Sequence, residues 1–121
     1  MPAAVRSLDA ETDVLDAVFF ALSDPVRRAI LDRLDQGPLL VSEIAGPFSI
    51  SLQAVSRHIQ MLVRAGLVTQ ARTGRISRCS LDAEPLGEAA AWINRYAKYW
   101  QTQFETLAQR LIEIEKERDT P

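Results

Sequence analysis

One cysteine and one histidine in 121 residues leave little material for cross-links or metal chemistry. Cys79 by itself cannot close an intrachain disulfide, which fits a reducing compartment. A zinc site takes four ligands, usually thiolate, imidazole or carboxylate. Even a second copy of the chain does not complete such a set, because His58 sits on a helix committed to another task, so no metal and no cofactor is expected. Glycine is scarce, with five residues and no Gly-rich phosphate loop. No histidine stands near an acid at ligand spacing, and Ser56, Arg57 and His58 are sequence neighbours on helix faces that diverge, so no nucleophile and base pair up. An enzyme is not expected. No apolar run approaches the ~20 residues needed to span a bilayer. Met1 to Thr12 has no apolar segment behind a basic start, so a cytoplasmic location is the expectation.

The most informative absence is acid. From Ile44 to Leu81 there are five arginines, Arg57, Arg64, Arg72, Arg75 and Arg78, and no aspartate or glutamate. The whole chain carries −2, so with His58 neutral this stretch is +5 and the remainder −7. Charge is segregated, and the stretch is suited to meeting an anion. The composition is otherwise ordinary, with 47% hydrophobic and 25% charged residues, and residues 1–121 are expected to form a single domain. No internal repeat, low-complexity tract or flexible linker interrupts it.

Periodicity then places the elements. Val14, Leu15, Val18, Phe19 and Leu22 give a first helix over 13–22. Asp24-Pro25 caps and opens a second, which carries Ile30, Leu31 and Leu34 inward until Gly37-Pro38. Ser42 is the N-cap candidate for a short helix from Glu43 to about Phe48, with Ile44 and Phe48 inward. Ser51 caps a fourth helix running to Ala65, with Ile50 placed to staple onto Val55. Its inward stripe is Val55, Ile59 and Leu62, and Gln53, Ser56, Arg57, Gln60 and Arg64 lie opposite. Gly66 is the left-handed residue that ends it. Leu67 to Arg72 and Arg75 to Leu81 read as a hairpin turning at Thr73-Gly74. From Glu84-Pro85 a last helix is expected over 85–117, with Ile93, Ala97, Trp100, Phe104, Leu107, Leu111 and Ile114 as a heptad seam. At the standard rise it would span roughly 45 Å, more than so small a domain covers, so part of it should meet another chain. The C-terminal residues Arg118 to Pro121 are expected to fray. The fold class is therefore mostly α with a small β-hairpin. It amounts to a winged helix-turn-helix (42–65 and wing 67–81) with a long C-terminal dimerisation helix.

Three strings occur in order: Ala21-Leu-Ser-Asp-Pro-Val-Arg-Arg-Ala-Ile-Leu31, Val41-Ser-Glu-Ile-Ala45, and Ser51-Leu-Gln-Ala-Val-Ser-Arg-His-Ile59 with Leu62 and Ala65-Gly-Leu-Val68. Their order and spacing over residues 17 to 86 resemble the ArsR/SmtB family of bacterial winged-helix transcriptional repressors. The resemblance implies a homodimer held by its first and last helices, with a recognition helix in the major groove of operator DNA and a wing on the flanking backbone. Residues implied to contact DNA are Ser51, Gln53, Ala54, Ser56, Arg57, His58, Gln60 and Arg64 on the helix, and Arg72, Arg75 and Arg78 on the wing. The implied dimer interface takes Val14, Val18, Ile93, Ala97, Trp100, Phe104, Leu107, Leu111 and Ile114. Metal-sensing members carry cysteines in the helix before the turn, or aspartates and histidines along the last helix. Here Val41 to Gly46 has no cysteine and the last helix has no histidine, so the resemblance is to the metal-independent type.

Three features admit a second reading. His58, between the apolar and polar faces, suits a packed or capping role as well as a phosphate contact. Cys79 reads as a small buried hydrophobe rather than a redox sensor. Trp92, Tyr96, Tyr99, Trp100 and Phe104 form a stripe of the kind found in cores and interfaces, with a pocket for an unidentified small-molecule effector as the other reading. A winged-helix module that docks proteins instead of DNA should expose leucines or aromatics where this chain has Gln53, Ser56, Arg57 and Gln60.

Overall fold

A computed structural model describes the backbone of residues 3–119 and the side chains of residues 13–119. The elements run α1 (Ala3–Leu22), α2 (Pro25–Leu34), β1 (Leu39–Leu40), α3 (Val41–Ala45), α4 (Leu52–Arg64), β2 (Val68–Thr73), β3 (Ile76–Leu81), α5 (Glu84–Asn94), a 3-10 turn (Ala97–Tyr99) and α6 (Gln101–Asp119). The chain divides into two compact units after Ala89.

In the first unit every element contributes to one core. Val18 and Ala21 of α1, Ile30, Leu31 and Leu34 of α2, and Ile44 of α3 meet Val55, Ile59 and Leu62 of α4, with Leu67, Val68, Cys79 and Ala89 closing it. Asp24 caps α2 as its residue type suggests. Its carboxylate accepts from the backbone N–H groups of Val26 at 2.8 Å and Arg27 at 3.1 Å, and Pro25 occupies the first helical position. Burial alone would raise the Asp24 pKa, but the Arg27 N–H, the nearby His58, the Val26 N–H and the Arg27 side chain together hold it below the ordinary 3.8. A depressed folded-state pKa stabilises the fold fully above the unfolded value, and this contribution disappears as the pH falls through the lower folded one. Asp24→Ala is therefore expected to cost about 1 kcal/mol in urea unfolding at pH 7. The difference from wild type should shrink below pH 4.

Several boundaries differ from the sequence reading. The first helix starts at Ala3, ten residues before Asp13. The helix-turn-helix opens earlier too: α3 spans Val41–Ala45, and Ser42 lies inside it rather than capping it. The first-turn carboxylate of Glu43 instead accepts from the Leu40 N–H at 2.8 Å, and Phe48 is only half-buried beyond the helix end. Strand β1 was not anticipated. Its two residues pair antiparallel with β3, Leu39 with Cys79 and Leu40 with Arg78, making a three-stranded sheet of order β1-β3-β2. Two residues are too few to carry a period-2 signal. The hairpin turns at Gly74-Arg75, not Thr73-Gly74, because Thr73 still pairs with Ile76. Gly74 has φ 62° and among the described residues no non-glycine residue has positive φ, so Arg75 does not, which is the type II′ pattern with glycine first.

The second unit departs most. The expected helix over 85–117 breaks between Asn94 and Gln101. No glycine or proline stands there; aromatic stacking accompanies the change of pitch. Trp92 and Tyr96, four apart on α-helical spacing, have ring centroids 5.4 Å apart. Tyr96 and Tyr99, three apart, stack at 6.4 Å with planes 24° from parallel. Side chains at i and i+3 eclipse in a 3-10 turn, so this second pair suits the turn that ends the helix. The seam is thereby divided, with Ile93, Ala97 and Trp100 before α6 and Phe104, Leu107, Leu111 and Ile114 on it. Nineteen residues of α6 span about 28 Å rather than the length first expected. Arg118 and Asp119 remain helical, while Thr120 and Pro121 lie outside the described residues.

Candidate nucleic-acid interface

Helix α4 is defined at both ends by its own sequence. Ser51 is extended, and its hydroxyl accepts from the Ala54 N–H at 3.1 Å. At the other end Leu67 N–H bonds the Leu62 carbonyl and Gly66 N–H the Val63 carbonyl, both at 3.0 Å, with Gly66 at φ 78°. That is a Schellman motif, and it sends the chain directly into β2. Between these ends Val55, Ile59 and Leu62 are buried, while Gln53, Arg57, Gln60 and Arg64 form an exposed stripe at steps of four, three and four. Ser56 and Ala54 are half-buried beside it, and Ser51 is exposed at the start.

The helix is fixed against α1 and α2 through a residue that charge pattern alone did not reveal. Arg27 is buried, and its guanidinium donates from Nε to the Ala21 carbonyl at 2.8 Å and from Nη2 to the Phe20 carbonyl at 2.9 Å. These are carbonyls of the last turn of α1, where a cation is favoured. Its Nη1 lies 3.2 Å from Nδ1 of His58 on α4. Arginine has only donors, so in the neutral ring Nδ1 is the acceptor of this contact. Asp24 is 3.8 Å from the same nitrogen. Through Arg27, His58 ties α4 to α2 and the end of α1, and its Nδ1 faces inward. The only advance signal for Arg27 is its place one turn behind Asp24-Pro25, which sets it under the end of α1.

The wing does not gather its arginines on one face. Antiparallel partners share a face, so Arg72 with Ser77 lies on the side of Gln70 and buried Cys79, whereas Arg78 with Ala71 lies on the opposite side and Arg75 stands in the turn. The Arg72 side is the one tied to α4, because Gln60 donates to the Gln70 side chain at 3.3 Å and Gln70 donates onward to the Ser77 hydroxyl. Gln60 therefore joins helix to wing, while Gln53 and Arg57 keep their polar groups outward. Among the described residues, no acidic side chain pairs with Arg57, Arg64, Arg72, Arg75 or Arg78, and all five are exposed. Their charge stays available to an external anion.

The remaining candidates also have defined places. Cys79 is fully buried, and burial pushes its thiol pKa up, away from the reactive thiolate. Among the described residues no three histidine, cysteine or acidic side chains gather as a metal site. Of the interface candidates on α1, Val14 is 40% exposed, but Val18 is wholly buried in its own core. Val18 is therefore withdrawn from the interface, since a side chain with no accessible surface has none to offer a partner. Phe20, also on α1, is 59% exposed.

A helix-turn-helix domain family matches residues 22–71, which covers α2, α3, α4 and most of β2. The transcriptional repressor SdpR of Bacillus subtilis is 35% identical over 79 residues, spanning 65% of this chain and 88% of that protein. A crystal structure of an ArsR family transcriptional regulator, RHA00566, superposes with a TM-score of 0.70 at 37% identity, covering 74% of this chain and 93% of that one. The chain belongs to the ArsR family of transcriptional regulators. A solution structure of a homodimeric winged helix-turn-helix DNA-binding domain from Mycobacterium bovis, described as a possible ArsR-family regulator, has a TM-score of 0.60 at 27% identity. It covers 77% of this chain and 88% of that one. The winged helix-turn-helix architecture is thus shared with ArsR-family structures, and this ArsR-family chain is a DNA-binding transcriptional regulator.

Proposed function

We propose that the protein is a homodimeric, cytoplasmic repressor that binds double-stranded operator DNA and acts by occluding a promoter, without metal sensing. The observation that carries this reading is the set of exposed, unpaired arginines on α4 and the wing, within a stretch that contains no acid. Gln53, Ser56 and Arg57 near the start of α4 have the amide, hydroxyl and guanidinium chemistry that reads base edges. Arg75 at the hairpin turn serves phosphates. The homodimeric relative from Mycobacterium bovis and the exposed apolar stripe of α6 support assembly as a pair. No described helix is long and apolar enough to cross a membrane, in keeping with a regulator that reaches DNA.

A salt titration of duplex binding tests the assignment, because phosphate contacts release counterions and affinity falls steeply with salt. Arg75→Ala is expected to weaken specific and random duplexes about equally and to reduce the salt slope by about one unit. An unchanged slope would remove Arg75 from the phosphate contacts. Zinc, cadmium and arsenite are expected neither to bind the reduced protein tightly nor to release DNA. Calorimetry revealing a submicromolar zinc site would overturn the metal-independent assignment.

A further inference from the structure

Two large apolar side chains are more than half exposed beside the polar stripe of α4 and the wing turn. Leu52 is the first residue of α4, immediately after the Ser51 cap, and is 56% exposed. Ile76, the first residue of β3, is also 56% exposed. They are far apart in sequence, yet both line one shallow depression with Leu40, Arg75 and Ser77. Isolated exposed leucines are common on protein surfaces and carry no meaning by themselves. Here the two share a hollow with the turn arginine, at the end of the helix that approaches base edges.

We propose that Leu52, walled by Ile76, is a specificity-determining residue that reads the 5-methyl group of a thymine in the operator. The methyl is the one apolar group that a base presents in the major groove, and apolar side chains are its natural partners. It also projects from the base edge close to its own strand's backbone. A hollow that combines an apolar floor with the Arg75 guanidinium therefore fits the methyl and the adjacent phosphate as one unit. A polar residue at position 52 would favour a hydrogen-bonding edge, whereas leucine offers none and gains only by displacing water from an apolar group.

This inference rests on the base-reading function and is tested separately from it. The probe is the tightest duplex recovered from a random-sequence pool, remade with deoxyuridine replacing one thymidine at a time. Uracil keeps every hydrogen-bonding group and lacks only the methyl. In wild type, one replacement per half-site is expected to weaken binding about fourfold, the loss for one buried methyl-sized group. In Leu52→Ala the same replacement should have no effect, and in Ile76→Ala a reduced one. Both positions are exposed, so the variants should melt at the wild-type temperature, which circular dichroism checks. A selected site without thymine, no uracil penalty in wild type, or a full penalty retained in Leu52→Ala would each overturn the inference while leaving base reading intact. Equal wild-type affinity for the selected and scrambled duplexes would instead remove the base-reading function, and this inference with it.

Discussion

Replacing both Leu107 and Leu111 with glutamate is expected to convert a dimer into a monomer at micromolar concentration and to lower operator affinity about a hundredfold, the usual scale for losing a linked second site. Phe104, Leu107, Leu111 and Ile114 recur at steps of three, four and three along α6, and each is more than half exposed. A stripe of this period suits a partner helix. Fully burying one such side chain contributes about 1.5–3 kcal/mol, so the two leucines carry a large share of what α6 can offer, and a charge in their place would have to be desolvated. The helix break confines the stripe to α6, so Ile93, Ala97 and Trp100 do not extend it as a continuous seam. DNA affinity falls with assembly because each protomer presents a single α4 and a monomer reaches only one half-site. Light scattering reads the mass directly. A variant that remains dimeric would move the interface to the outer face of α1, around Val14 and Phe20.

Arg27→Met is expected to cost about 3 kcal/mol in urea unfolding, a large part of the 5–15 kcal/mol typical of small domains. Charge pairing is the smaller part of the loss, because among the described residues no carboxylate bonds the guanidinium, which acts on Asp24 only at a distance. The larger part comes from the Phe20 and Ala21 carbonyls and the His58 Nδ1, which lose their donor together in a partly buried setting. The guanidinium also lies 5.2 Å from the centre of the Phe20 ring, a cation–π contact that methionine does not reproduce. Lysine should not rescue the variant, since one ammonium on a flexible stem cannot fork to three acceptors on two helices. A loss under 1 kcal/mol would mean that water replaces the guanidinium at these acceptors.

The contrast between α4 and the C-terminal region shows where sequence is legible. Helix α4 is local in every respect: a serine cap, a 3.6-residue apolar period and a left-handed glycine each act within one turn of themselves, and all three appear in the structure. The seam from Ile93 to Ile114 is equally periodic, yet the chain breaks within it, at a 3-10 turn where Tyr96 and Tyr99 stack, and an apolar pattern registers neither feature. Strand β1 and buried Arg27 depend on contacts with residues more than thirty positions away, or across two helices, and neither leaves a periodic trace. Val18 was misassigned for a related reason. An apolar helical face predicts burial without saying whether the cover is the same chain or another. The exposed stripe Gln53, Arg57, Gln60 and Arg64 was readable, but the bond that turns Gln60 toward the wing was not.

The most direct measurement is fluorescence anisotropy of wild type, Gln53→Ala, Ser56→Ala and Arg57→Ala on a selected duplex and its scrambled counterpart, at several salt concentrations. Wild type is expected to prefer the selected duplex. Each variant should lose about 1–3 kcal/mol on that duplex while binding the scrambled one nearly as before. Equal losses on both duplexes, or no wild-type preference between them, would contradict the assignment of α4 as the base-reading helix.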